Sequence, residues 1–125
     1  MEFGTPGALR DRLVDLVLHG GKRATAGLLY DYETESEAIE HVGEHLAMVD
    51  SDDRHVGTLV VTRVDIVRFA DVPDEFALAE AEGDLDASDF RDSHLAYWTS
   101  VGHTVNDDTP VVTIYFDLLP SVSSL

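Results

Sequence analysis

The sequence predicts an α+β domain with a mostly antiparallel sheet or small barrel. Three observations lead there. In His55 to Phe69, Thr58, Val60, Thr62, Val64 and Ile66 alternate with Leu59, Val61, Arg63, Asp65 and Val67, the pattern of a long strand. Thr109 to Leu119 is a second run rich in Val, Ile, Tyr and Phe, opened by Pro110. The helical segments are fewer than the extended ones and are not regularly interleaved with them, as a parallel sheet would require.

From the N-terminus, residues 1 to 6 form a lead-in, and the first helix runs from Pro6 or Gly7 to His19. Leu9, Leu13, Leu16 and Val17 fall on its 3.6-residue period, Pro6 stands near its start and Gly20-Gly21 follow its end. Ala24 to Tyr32 carries Thr, Leu and Tyr without a helical stripe and reads as an extended segment entering the core. Glu33 to Glu40 is acidic, a loop or one turn. A short strand over His45 to Asp50 turns at Ser51-Asp52-Asp53-Arg54 into the long strand, where Gly57 is a candidate bulge. Asp74 to Ala81 and Ser88 to Ser100 read as helices, the first ended by Gly83 and the second capped by Asp86 or Ser88.

The 125 residues, 44% of them hydrophobic, suit one domain over 1–125 that buries roughly two thirds of its unfolded surface. Pro120 to Leu125 is expected to fray. Eight Lys and Arg against 25 Asp and Glu give a formal charge of −17, which argues against a gripped DNA or RNA duplex, because phosphate neutralisation needs a basic surface. A solvated acidic surface of the kind salt-adapted proteins carry is the simplest use of that charge. With no run of about 18 apolar residues and no basic and apolar blocks after Met1-Glu2-Phe3-Gly4, no membrane partner is expected, and the chain reads as soluble and cytoplasmic. The absence of cysteine removes disulfides, thiol nucleophiles and thiolate zinc sites.

Lys22 is the sole lysine of the chain, set in Gly20-Gly21-Lys22-Arg23-Ala24-Thr25 just past a helix end. Two glycines there permit a tight turn and leave room for a ligand. Lys22 and Thr25 can then face one pocket, with lysine as base or oxyanion stabiliser for a threonine nucleophile. The structural alternative sets Lys22 and Arg23 against the helix macrodipole and makes Thr25 an ordinary strand residue. Glu80 and Glu82 lie at or beyond a helix end, where negative charge is unfavourable, so acids kept there hint at function. One residue apart on a helix they point in different directions, which disfavours a paired-carboxylate glycosidase site.

His41-Val42-Gly43-Glu44-His45 matches a zinc-protease string, but Gly43 breaks the helix that motif needs. The other histidines lack close ligand spacing, and His94 reads as polar lining of the core ahead of the alternative, lining of a pocket. Asp50 to Asp53 and Asp107-Asp108 lack the spaced ligands of a calcium loop. No metal site and no cofactor are expected. Tyr30 and Tyr32 are half-buried sheet residues or stacking surfaces for a single base.

Taken together, Gly20-x-Lys22-x-x-Thr25, the following Leu28-Leu29-Tyr30, Val42-Gly43, and Phe76…Ala79-Glu80-Ala81-Glu82-Gly83-Asp84 ahead of Tyr97-Trp98 resemble the ASCH-domain family over nearly the whole chain. The resemblance implies a PUA-like fold, a small β-barrel with flanking helices around a cleft, and a link to RNA or nucleosides. Some small members are amidohydrolases that deacetylate N4-acetylcytidine with a threonine, a lysine and a glutamate. By position these are Thr25, Lys22 and Glu82, with Gly20, Gly21, Tyr30, Tyr32 and Glu80 as the expected substrate-binding residues. Ala26-Gly27 stands where those enzymes carry an arginine soon after the threonine, and the second half of this chain is longer, so their substrate does not transfer. The expected activity is that of a small amidohydrolase on an N-acylated nucleoside. The expected ligand is a nucleoside-like molecule or a single RNA base. A non-catalytic base-binding module and a domain that has lost activity are the alternatives, with a metal-dependent ribonuclease last because only eight cationic side chains are present.

Overall fold

A computed structural model describes residues 1–120. The frayed tail expected from Pro120 onward therefore lies outside the described residues, save Pro120 itself. The order of elements is α1 (Ala8–His19), β1 (Ala24–Leu28), α2 (Leu29–Thr34), β2 (His45–Val49), β3 (His55–Arg68), a 3-10 turn at Phe69–Asp71, α3 (Asp74–Glu80), α4 (Ala87–Ser100) and β4 (Pro110–Leu118).

The four strands form one sheet in the order β1-β4-β3-β2, antiparallel throughout and curled into a half-barrel. The C-terminal strand β4 is thus central, and five of its residues, Val111, Val112, Thr113, Ile114 and Phe116, are buried. Two register shifts bend the long β3. One falls between Val61 and Arg63 against β4. The other falls between Met48 and Val49 on β2, where Gly57 opposes Met48 and His55 opposes Val49. A Cβ at Gly57 would sit 3.0 Å from the Met48 methyl, so any larger residue at that bend has to push the buried Met48 side chain aside.

Apolar side chains cover both faces of the sheet. Leu13, Val14 and Val17 of α1 pack with Phe3, Met48, Leu59 and Phe116. Leu9 and Leu16, on the same predicted stripe, flank that cluster. Phe76 of α3 and Phe90 and Trp98 of α4 pack against Ala24, Leu28 and Val111. Phe76 and Phe90 are fully buried, and each contributes about 2 kcal/mol relative to an exposed ring. This second cluster anchors the ends of α3 and α4 beside the start of β1.

Three expectations are corrected. The extended segment from Ala24 stops at Leu28, and Tyr30 and Tyr32 lie on α2. Leu and Tyr without a helical stripe make Leu29 to Tyr32 read as a strand, but Glu37 N–H donates to the Tyr32 carbonyl and Glu35 N–H to that of Asp31, closing helical turns instead. The left-handed residue after α3 is Ala81 (φ 55°), ahead of Gly83. His94 opens onto a cleft. Asp86 caps α4, its side chain accepting the Asp89 N–H at 2.9 Å.

Candidate active-site cleft

α1 closes on a turn in which the Gly20 and Lys22 N–H groups both donate to the Leu16 carbonyl, with Gly21 at φ 79°. That turn sends the Lys22 side chain inward until it has no exposure to solvent. Its Nζ donates to Glu82 Oε2 at 2.6 Å, to the Ala24 carbonyl at 2.7 Å and to the Glu80 carbonyl at 3.4 Å. The three protons of an ammonium therefore meet three acceptors. Glu80 Oε2 stands 3.8 Å away and the Phe3 ring 5.8 Å away.

Ala81 brings both glutamates to one cation. On a continuing helix Glu80 and Glu82 would diverge. The left-handed Ala81 folds the chain back, so Glu82 caps Lys22 from the cleft side while Glu80 approaches from below. Arg12 donates to the Glu82 carbonyl at 3.1 Å and steadies the turn from the rim.

Glu80 is 1% exposed. Burial pushes its carboxyl above the ordinary carboxylate range, against the pull of the neighbouring His94 and Lys22. The His94 ring stacks on Phe90, with centroids 4.0 Å apart, and its Nδ1 lies 3.1 Å from the Phe90 carbonyl. A carbonyl only accepts, so Nδ1 carries the proton and Nε2 faces Glu80 Oε1 at 3.4 Å. Burial lowers the affinity of His94 for a second proton, but Glu80 and Glu82 outweigh it and the ring titrates above its ordinary range.

A cleft of about 910 Å³ opens over these groups. Thr25, half-buried on β1 opposite Ile114, lines it with Glu80, Glu82, Tyr32, His94 and Tyr97. Lys22 lies behind the wall and, among the described residues, makes no hydrogen bond to Thr25. It holds Thr25 indirectly, through the carbonyl of the peptide that joins Ala24 to Thr25. The Tyr32 hydroxyl donates to Glu40 at 2.7 Å, and burial together with Glu40 and nearby acids pushes that phenol well above its usual range. Six further carboxylates, Glu2, Asp31, Glu35, Glu37, Glu40 and Asp84, share the rest of the lining with apolar side chains such as Leu9, Leu13 and Trp98.

Of the expected residues, Lys22, Thr25, Glu80, Glu82 and Tyr32 are thus gathered at the cleft or directly behind it. Gly20 and Gly21 are exposed and shape the turn without lining the cleft. Tyr30 is 63% exposed and borders a separate shallow hollow with Gly102 and His103. His94, Asp84 and Ser93 are the residues that spacing did not reveal: Asp84 receives the Ser93 hydroxyl proton at 3.1 Å, and donor atoms of Glu80, Asp84 and His94 all lie within 4.8 Å of one another. The ten-residue step from Asp84 to His94 spans a loop and a helix start, and carries no recognisable ligand spacing.

A family model described as the ASCH domain matches residues 1–120. The solved ASCH domain from Lactobacillus crispatus JV V101 superposes with a TM-score of 0.80 at 24% identity, over 94% of this chain and 77% of that one. A protein from Enterococcus faecalis V583 gives the same score and identity, over 94% of this chain and 74% of its own. Likeness at this identity shows a common fold. No curated protein matches the chain.

Proposed function

Because the chain belongs to the ASCH-domain family, we propose that its cleft is the active site of a small amide hydrolase whose substrate is an uncharged N-acylated nucleoside. The observation that carries this reading is the buried Lys22 clamped to Glu82 at 2.6 Å, next to a threonine on the cleft wall. Thr25 attacks the acyl carbon, and Glu82, the acceptor facing the cleft, takes the hydroxyl proton. As the C–N bond breaks, that proton passes to the departing amine, and water then releases the acyl group from Thr25. With its N–H groups committed, Lys22 is a positioning residue that holds Glu82 and the backbone before Thr25. In this reading the base is Glu82, and Lys22 takes neither of the roles, base or oxyanion stabiliser, expected of it from the sequence. The carboxylate-rich lining repels phosphate, which favours a nucleoside over a nucleotide.

The test is turnover of N4-acetylcytidine and other N-acylated nucleosides, followed by chromatography, with Thr25→Ala and Glu82→Gln beside the unsubstituted protein. Product from the unsubstituted protein, reduced at least a hundredfold in both folded variants, is the expected result. If the folded protein yields no product from any of these substrates, the hydrolase reading fails and a base-binding module takes its place. In that case Tyr32 and Tyr97 become the stacking surfaces to replace in binding assays.

A further inference from the structure

We propose that Glu80, Asp84 and His94 form a binding site for one divalent first-row transition cation, zinc foremost, at the floor of the cleft. Three acceptor atoms, one from each residue, converge within 4.8 Å of one another. They come from separate elements: Glu80 ends α3, Asp84 lies in the loop after it, and His94 stands on α4. The Nε2 to Oε1 separation of 3.4 Å already matches the spacing of about 3.4 Å between donors on a tetrahedral zinc with bonds near 2.1 Å.

Independent of that convergence is an orphaned oxygen. Glu80 Oε1 is buried without a hydrogen-bond partner, since the neutral His94 ring carries its proton on Nδ1 and its Nε2, 3.4 Å away, has none to donate. A buried carboxylate oxygen left so is costly, and it points at the other two donors. The outer contacts are those that metal ligands need. The Nδ1 proton on the Phe90 carbonyl fixes the His94 tautomer and leaves the Nε2 lone pair facing Glu80. The Ser93 hydroxyl holds the Asp84 carboxylate, and Phe90 stacking holds the ring plane.

Charge balance agrees. Three carboxylates, Glu80, Glu82 and Asp84, face the Lys22 ammonium and the His94 ring, and a dication would replace the proton that these acids otherwise draw onto that ring. An imidazole beside two carboxylates suits zinc, manganese or iron, whereas calcium and magnesium favour all-oxygen sites. Three protein ligands leave a position open toward the cleft.

Titration of the whole chain with zinc chloride and with manganese chloride, read by calorimetry against calcium and magnesium chlorides, tests the site. One zinc per chain is expected, at least tenfold weaker in Asp84→Asn and in His94→Gln, with calcium not competing. Asp84 is half-exposed, so its variant keeps the protein folded even if the Phe90 stack does not tolerate the His94 change. Nitrogen NMR of the unsubstituted protein adds a direct readout, a shift confined to His94 Nε2 on zinc addition. Absence of zinc binding, binding unchanged in Asp84→Asn, or equal displacement by calcium would each overturn the proposal, the last two pointing to diffuse adsorption on an acidic surface. Because the readout is binding, the result is independent of whether any amide is hydrolysed.

Discussion

Lys22 has no contact with solvent, yet its ammonium is what two carboxylates and two carbonyls share. Replacing it by methionine keeps most of the stem and strands Glu80 inside the protein, so Lys22→Met should lower stability by about 3–5 kcal/mol in urea denaturation. An unchanged midpoint would mean that Glu80 is accommodated without the ion pair. This residue was legible in the sequence because a lone lysine between a helix end and a strand stands out in a chain that otherwise uses arginine. The glutamates were legible as unusual acids at a helix end, but their convergence on one cation was not. It depends on the φ of a single alanine, which no residue spacing encodes. His94 was harder still. Its partner Glu80 lies fourteen positions away, and only the packing of α4 on Phe76 through Phe90 brings them together.

Among the elements, the turn after α3 stores strain where the site needs shape. Ala81 holds a left-handed conformation that costs a side-chain-bearing residue about 1 kcal/mol or more, and glycine adopts it freely. Ala81→Gly should therefore raise stability by up to about 1 kcal/mol, less what glycine's freer unfolded chain takes back, and thermal melting measures the net. A clear drop would show that the methyl group packs in a way that matters more than the dihedral angle. The β2–β3 turn offers a pH-dependent counterpart. Asp50 accepts the Arg54 and Asp52 backbone N–H groups on one oxygen and the Arg54 Nε on the other. The Arg54 backbone N–H first, then Asp52 and the Arg54 charge, hold its carboxyl below the usual range. A carboxyl lowered on folding stabilises the turn at pH above its unfolded value of about 3.9, and that help is lost as pH falls through the lower folded value. Amide shifts of Asp52 and Arg54 should follow that titration and lose it in Asp50→Asn. Alternation made the strands readable, because burial on a pleated surface writes itself with period two. Residue content misled at α2, a helix of six residues too short to show a stripe, where the backbone bonds decide the matter.

Over the whole molecule, cations are scarce and many are already engaged. Arg54 is paired with Asp50 and Asp52, Arg63 with Asp65 and Glu75, and Arg68 with Asp71 and Asp108, every arginine of these pairs being exposed and Asp50 the most buried of the acids. Such pairs contribute little individually, and arginines so engaged do not form the basic track that a ribonuclease needs. With a formal charge of −17, repulsion among the remaining acids opposes the compact state. Melting temperature should then climb as NaCl rises from about 0.1 M to about 1 M and the screening length shrinks from about 10 Å to about 3 Å. A falling melting temperature would mean that the arginine pairs outweigh the repulsion. No helix among the described residues is long and apolar enough to cross a membrane. The chain also has only one tryptophan. Trp98 is 5% exposed, lines the cleft, and meets the His94 ring edge-on with centroids 5.3 Å apart. Its emission therefore reports from a single dry position, and an imidazole that gains a positive charge quenches indole light more strongly than a neutral one. The protein thus carries its own optical gauge of the cleft floor, one that needs no label and leaves every side chain in place.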